Sequence, residues 1–144
     1  MLTCKKEYRD IPFSHRQHTH SGHCSYIHGH NWGIEITFAC KNLDANGFVI
    51  DFGKLKSIKN WIESNLDHAI LMNESDPEKD HILKSCPSAF KSYIVDNCSC
   101  EGLAFHFYEV FSKILSEDTK SRVFIVDLTV TEDSKNSATF CPEL

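Results

Sequence analysis

Two stretches of the chain alternate apolar and polar residues with a period of two. Trp32, Ile34, Ile36 and Phe38 interleave with Asn31, Gly33, Glu35 and Thr37, which predicts a strand from about His28 to Cys40. Phe124, Val126, Leu128 and Val130 predict a second long strand over 122–132. A weaker strand is expected over residues 3–14, where Tyr8, Ile11 and Phe13 are apolar and Pro12 marks an edge or bulge. Residues 138–141 would form a short last strand. Two segments instead repeat every three to four residues. Phe52, Leu55, Ile58, Ile62 and Leu66 make one apolar stripe, with Asp51 as the expected N-cap of a helix. Leu103, Phe107, Val110 or Phe111, and Ile114 make a second stripe over 101–115. Between them, residues 73–98 hold Asn73, Asp76, Pro77, Asp80, Pro87 and Asn97, which predicts an irregular excursion with a short helix near Phe90 to Val95.

The resulting order is ββααββ. It predicts an α+β fold, an antiparallel four-stranded sheet with both helices on one face. The other face would stay partly uncovered and invite assembly with other copies. Residues 1–144 are expected to form a single domain, a length sufficient for a hydrophobic core.

Charge and composition narrow the function classes. A formal net charge of −5 carries no electrostatic footprint for nucleic acid. No apolar run reaches membrane-span length, and Met1 to Lys6 lacks the apolar core of a signal peptide. The 7 cysteines suggest no disulfide framework, so a reducing cytoplasm with free thiols is the expected location.

The 9 histidines are unevenly placed, with six of them between His15 and His30. His28 and His30 are two apart on the predicted strand and would aim at one spot, and Gly29 between them would let the backbone approach a ligand closely. His15 is the best third ligand. Three histidines around zinc with one open position is the catalytic pattern, whereas Cys24 as a fourth ligand would give a closed structural site in a non-catalytic zinc-binding protein. His18, His20 and His23 lie in a polar loop and are read as solvated.

Taken in order, His15, Cys24-x-x-x-His28-Gly29-His30, Asp51-Phe52 opening a helix, Leu66-Asp67-His68, and Glu132 after a strand resemble the 6-pyruvoyl- and 6-carboxy-tetrahydropterin synthase family. The three-residue spacer between Cys24 and His28 resembles the 6-carboxy branch, which serves queuosine biosynthesis. The resemblance implies a tunnelling fold assembled as trimers or hexamers with active sites at subunit interfaces. It implies zinc on His15, His28 and His30, Cys24 as the catalytic thiol, and Asp67 and His68 as its proton-transfer partners from a neighbouring subunit. It implies Glu132 as the pterin anchor, with Ser99 and Cys100 lining the pterin pocket in place of the family's hydroxyl pair. The implied reaction takes 7,8-dihydroneopterin triphosphate to 6-carboxy-5,6,7,8-tetrahydropterin, acetaldehyde and triphosphate. The 6-pyruvoyl branch instead eliminates triphosphate and keeps the side chain. Arg16 and Lys135 are candidate triphosphate partners.

Overall fold

The computed structural model describes residues 1–143. Its strands are β1 (Thr3–His15), β2 (His28–Cys40), β3 (Ala69–Asn73), β4 (Ser92–Val95), β5 (Val123–Thr131) and β6 (Ser137–Phe140). Its helices are α1 (Lys56–Asn65), α2 (Lys79–Ser85) and α3 (Cys100–Thr119). One sheet takes all six strands in the order β4-β3-β1-β2-β5-β6. The pairs β1–β2, β2–β5 and β5–β6 are antiparallel, while β3 pairs parallel with both β1 and β4.

The sheet therefore has six strands and mixed direction, not four antiparallel ones. The additional strands both come from sequence that lacks alternation. Ala69-Ile70-Leu71-Met72-Asn73 is buried at every position, as a parallel strand covered on both faces must be, so Ala69 to Met72 form a continuous apolar run ending at the buried polar Asn73. Ser92–Val95 forms edge strand β4 where a short helix was expected, because it completes the parallel pairing with β3. Helix α2 was also unforeseen. It buries no residue, so no apolar stripe advertises it.

Asp51 caps a single 3₁₀ turn over Phe52–Lys54, accepting from the Gly53 N–H, and α1 starts only at Lys56. Phe52 consequently stays exposed rather than joining the stripe. Helix α3 runs to Thr119, with Lys120 in the left-handed region ending it.

The core lies between the sheet and helices α1 and α3. Trp32, Ile34 and Ile36 of β2 meet Ile58 and Ile62 of α1 and Leu103, Phe107 and Phe111 of α3 in one apolar cluster. Trp61 of α1 bridges the helices, edge-on to Phe107 and Phe111. The opposite face is a polar ladder of Lys5 to Glu35, Thr37 to Asp127, and Thr129 to Thr139.

Candidate metal centre

Strand register builds the first half of the site. The last residue of β1, His15, is the cross-strand partner of His28, the first residue of β2, and His30 faces Phe13. Residues alternate sides along a strand, so His15, His28 and His30 share the face that carries Ile11, Phe13 and Trp32. Their ring centroids are 4.7 to 5.5 Å apart. Trp32, fully buried, forms the floor beneath them. It stacks on Phe13 at 4.4 Å, donates from Nε1 to the Phe13 carbonyl, and meets the His15 and His30 rings edge-on.

Hydrogen bonds fix the ring orientations. His15 Nδ1 lies 2.7 Å from the Cys98 carbonyl and His28 Nδ1 lies 2.7 Å from the Tyr26 carbonyl. A carbonyl only accepts, so each Nδ1 must carry the hydrogen, which leaves each Nε2 as a free lone pair. Burial pushes the His15 imidazole below its usual titration range, which further favours the neutral ring. The Nε2 atoms of His15 and His30 are buried with no hydrogen-bond partner. A buried polar atom without a partner is costly unless something else meets it.

Glu132, just past β5, closes the group. Its Oε1 lies 3.4 Å from His15 Nε2 and 3.4 Å from His30 Nε2. One donor atom from each of His15, His28, His30 and Glu132 lies within 4.8 Å of every other, the arrangement a metal ion needs. Cys24 does not belong to this group, so the closed three-histidine-plus-thiolate site is not what the fold builds. Gly29 is exposed, and an added methyl would meet only the Phe13 carbonyl at 3.6 Å, an ordinary contact.

Cys24 nonetheless stands at the same opening. It is exposed on a 3₁₀ turn, His23–Ser25, and its carbonyl accepts from the Gln17 N–H at 2.8 Å. With His15, Gln17, Cys100, Glu132 and Lys135 it lines a cleft of about 470 Å³.

The sequence model of the 6-pyruvoyl tetrahydropterin synthase family matches residues 3–143. The chain belongs to that family. It is 31% identical over 134 residues to the 6-carboxy-5,6,7,8-tetrahydropterin synthase of Rickettsia bellii, covering 92% of this chain and 94% of that one. It is 37% identical to the Bacillus subtilis protein of the same name over 60 residues, 42% of this chain and 39% of that one. In fold it is similar to an uncharacterized protein from Wolinella succinogenes, with a TM-score of 0.85, 17% identity and 99% and 98% of the two chains covered. It is also similar to the Caenorhabditis elegans 6-pyruvoyl tetrahydropterin synthase, with a TM-score of 0.65, 21% identity and the same coverage.

The remaining residues singled out by the family resemblance are placed unevenly. Asp67 Oδ1 and His68 Nδ1 are 2.6 Å apart, but the His68 side chain is 82% exposed and does not line the cleft that holds Cys24. His68 sits at φ 63°, held by its N–H to the Pro12 carbonyl where β3 begins. Within one chain the fold does not bring this pair to the thiol.

Ser99 and Cys100 do line the cleft. The Ser99 hydroxyl is engaged as the N-cap of α3, accepting from the Gly102 N–H at 3.0 Å. The Cys100 thiol donates to the Val130 carbonyl, and burial, reinforced by the Glu132 and Glu101 carboxylates, pushes it up to about 11. Cys100 is thus a neutral thiol. Arg16 is not free for an anion. Its guanidinium grips Asp76 through two hydrogen bonds of 2.7 and 2.6 Å. Lys135 remains on the cleft wall.

Sequence reasoning missed the supports. Asn73 donates to the Gln17 side chain and accepts from the Cys98 N–H, and Gln17 donates to Asn97. These bonds hold the segment that carries His15 and the tie to Cys24. The only advance signal was the cluster of Asn residues in the excursion.

Proposed function

We propose that this chain is a zinc-dependent lyase that converts 7,8-dihydroneopterin triphosphate and one water molecule to 6-carboxy-5,6,7,8-tetrahydropterin, acetaldehyde and triphosphate. The observation that carries the proposal is the convergence of three imidazoles, two of them oriented by backbone carbonyls and two with orphaned buried Nε2 atoms, beside an exposed thiol. The nitrogen-rich donor set with one carboxylate suits zinc. Relatives that match most of the chain bear the 6-carboxy name.

His15, His28 and His30 would hold the ion. When bound, zinc supplies Lewis acidity toward the side-chain hydroxyls of the substrate. Cys24, as thiolate, takes a proton from the substrate side chain at Sγ. His68, polarised by Asp67, gives and takes the second proton at its free Nε2. Because that pair is exposed and lies outside the Cys24 cleft, it acts in the site of an adjoining copy, in a trimer or hexamer. Glu132 offers two acceptor oxygens that match adjacent N–H donors on the pterin edge. Lys135 faces the triphosphate, and Ser99 and Cys100 shape the pocket wall.

The test is turnover of dihydroneopterin triphosphate by the zinc-loaded protein, followed by mass analysis of the pterin and an acetaldehyde assay. A 6-carboxy product with acetaldehyde is expected. A pterin that retains its three-carbon side chain would assign the 6-pyruvoyl activity instead, and no turnover would overturn the reading.

A further inference from the structure

We propose that Glu132 is the fourth donor of the resting metal site, and that its carboxylate leaves the ion when a pterin enters. The first half concerns the ion alone. The second half rests on the pterin-lyase reading above.

The distances argue for ligation rather than hydrogen bonding. His15 donates from Nδ1 to a carbonyl, so its neutral ring has a bare lone pair at Nε2. Glu132 Oε1 faces that lone pair at 3.4 Å and faces His30 Nε2 at 3.4 Å, yet neither nitrogen has a hydrogen-bond partner. A carboxylate oxygen set against a bare imidazole nitrogen is repulsive unless a cation lies between them. Two corners of a tetrahedron with bonds of about 2.0–2.2 Å are about 3.3–3.6 Å apart. Both contacts fall in that range.

Nothing else engages the carboxylate. Among the described residues, no side chain or backbone N–H donates a hydrogen bond to it, although neighbouring acidic side chains such as Asp133 and Asp127 are hydrogen-bonded. Glu132 also sits at the strand end, with 24% of its side chain exposed toward the cleft, where it has room to swing. With the carboxylate on the fourth corner, a tetrahedral site has no open position. A substrate can gain one only by displacing it, and the displaced group is then the acceptor available to the pterin N–H donors.

The test uses metal-free protein titrated with Co²⁺, whose visible absorption reports its ligands. E132Q is expected to bind Co²⁺ at least tenfold more weakly than wild type and with a changed band, whereas C24A should match wild type. Unphosphorylated 7,8-dihydroneopterin should shift the wild-type band. Equal affinity and an equal spectrum for E132Q would overturn the ligation, and an unmoved wild-type band under saturating pterin would overturn the displacement. A crystal structure of the zinc-loaded wild-type protein decides the ligation without any variant. Oε1 within about 2.2 Å of the ion supports it, and a water at the fourth corner with Glu132 turned away overturns it. Turnover is measured separately. Weakened Co²⁺ binding by E132Q in a protein without turnover keeps the fourth donor and removes the pterin lyase. Turnover with unchanged Co²⁺ binding does the reverse.

Discussion

The two halves of the candidate site are built on different kinds of structure. The imidazoles stand on the paired ends of β1 and β2, where cross-strand register sets their spacing and carbonyls set the rotation of His15 and His28. The thiol stands on a 3₁₀ turn in the connecting loop, tied mainly through its backbone to Gln17, and the Asp67–His68 pair, with His68 in the left-handed region, does not line that cleft. A metal needs its donors placed to within a fraction of an ångström, and adjacent strands provide that at low entropic cost. The groups proposed above as proton carriers would have to approach and withdraw, so a loop and an exposed turn suit that role. The contrast separates a preorganised centre from groups that one chain does not bring together.

The comparison can be broken or sharpened in order of expected effect. His28→Ala removes a strand-borne donor and should lower metal affinity by more than the roughly 10–100-fold typical of losing a supporting partner, taking turnover with it. Equilibrium dialysis with Zn²⁺ reads this directly. Cys24→Ala should leave metal affinity at the wild-type value while turnover falls about 10²–10⁴-fold, the usual share of one proton-transfer group. If Cys24→Ala also shed the metal, the two halves would not be separable.

A third variant probes what holds the loop. Asp76→Asn breaks the ion pair between Arg16 and the wholly buried Asp76 carboxylate. Loss of one partner should cost about 3 kcal/mol in a urea melt, the low end for a buried pair because Arg16 reaches solvent. The pH dependence has a definite sign. Arg16 beside Asp76 holds its carboxyl below the usual carboxylate range. A depressed folded value stabilises the protein above the unfolded value of about 4 and is lost as pH falls through the folded one. The gap between wild type and Asp76→Asn should therefore be full near neutrality and close below about pH 4. The smallest effect is expected from Ser99→Ala, about 1 kcal/mol from the lost α3 cap, measured by the same melts. A large loss of substrate affinity in that variant would mean that the hydroxyl serves the ligand as well as the helix.

What could be read in advance follows the same division. His28-Gly29-His30 lies inside a strand with strong alternation, so its shared face was legible, and His15 followed from its position at the end of the preceding strand. The long strands and both core helices were legible because each buries one face. β3 and β4 were not, because a parallel strand such as Ala69-Ile70-Leu71-Met72 is covered on both sides and shows no period. Helix α2 was hidden because it buries nothing. Arg16 looked available for an anion because Asp76 is 60 positions away in the chain and only the fold joins them. The carbonyls of Cys98 and Tyr26 left no trace, since every residue has one.

Trp32 carries a practical consequence. It is one of 2 tryptophans, has no solvent contact, and lies edge-on beneath two of the rings that would receive the cation. A positive charge arriving a few ångströms above an indole alters its excited state. The molecule therefore contains its own optical gauge of site occupancy, readable by emission without label or cofactor, with Trp61 in the helix layer as internal reference.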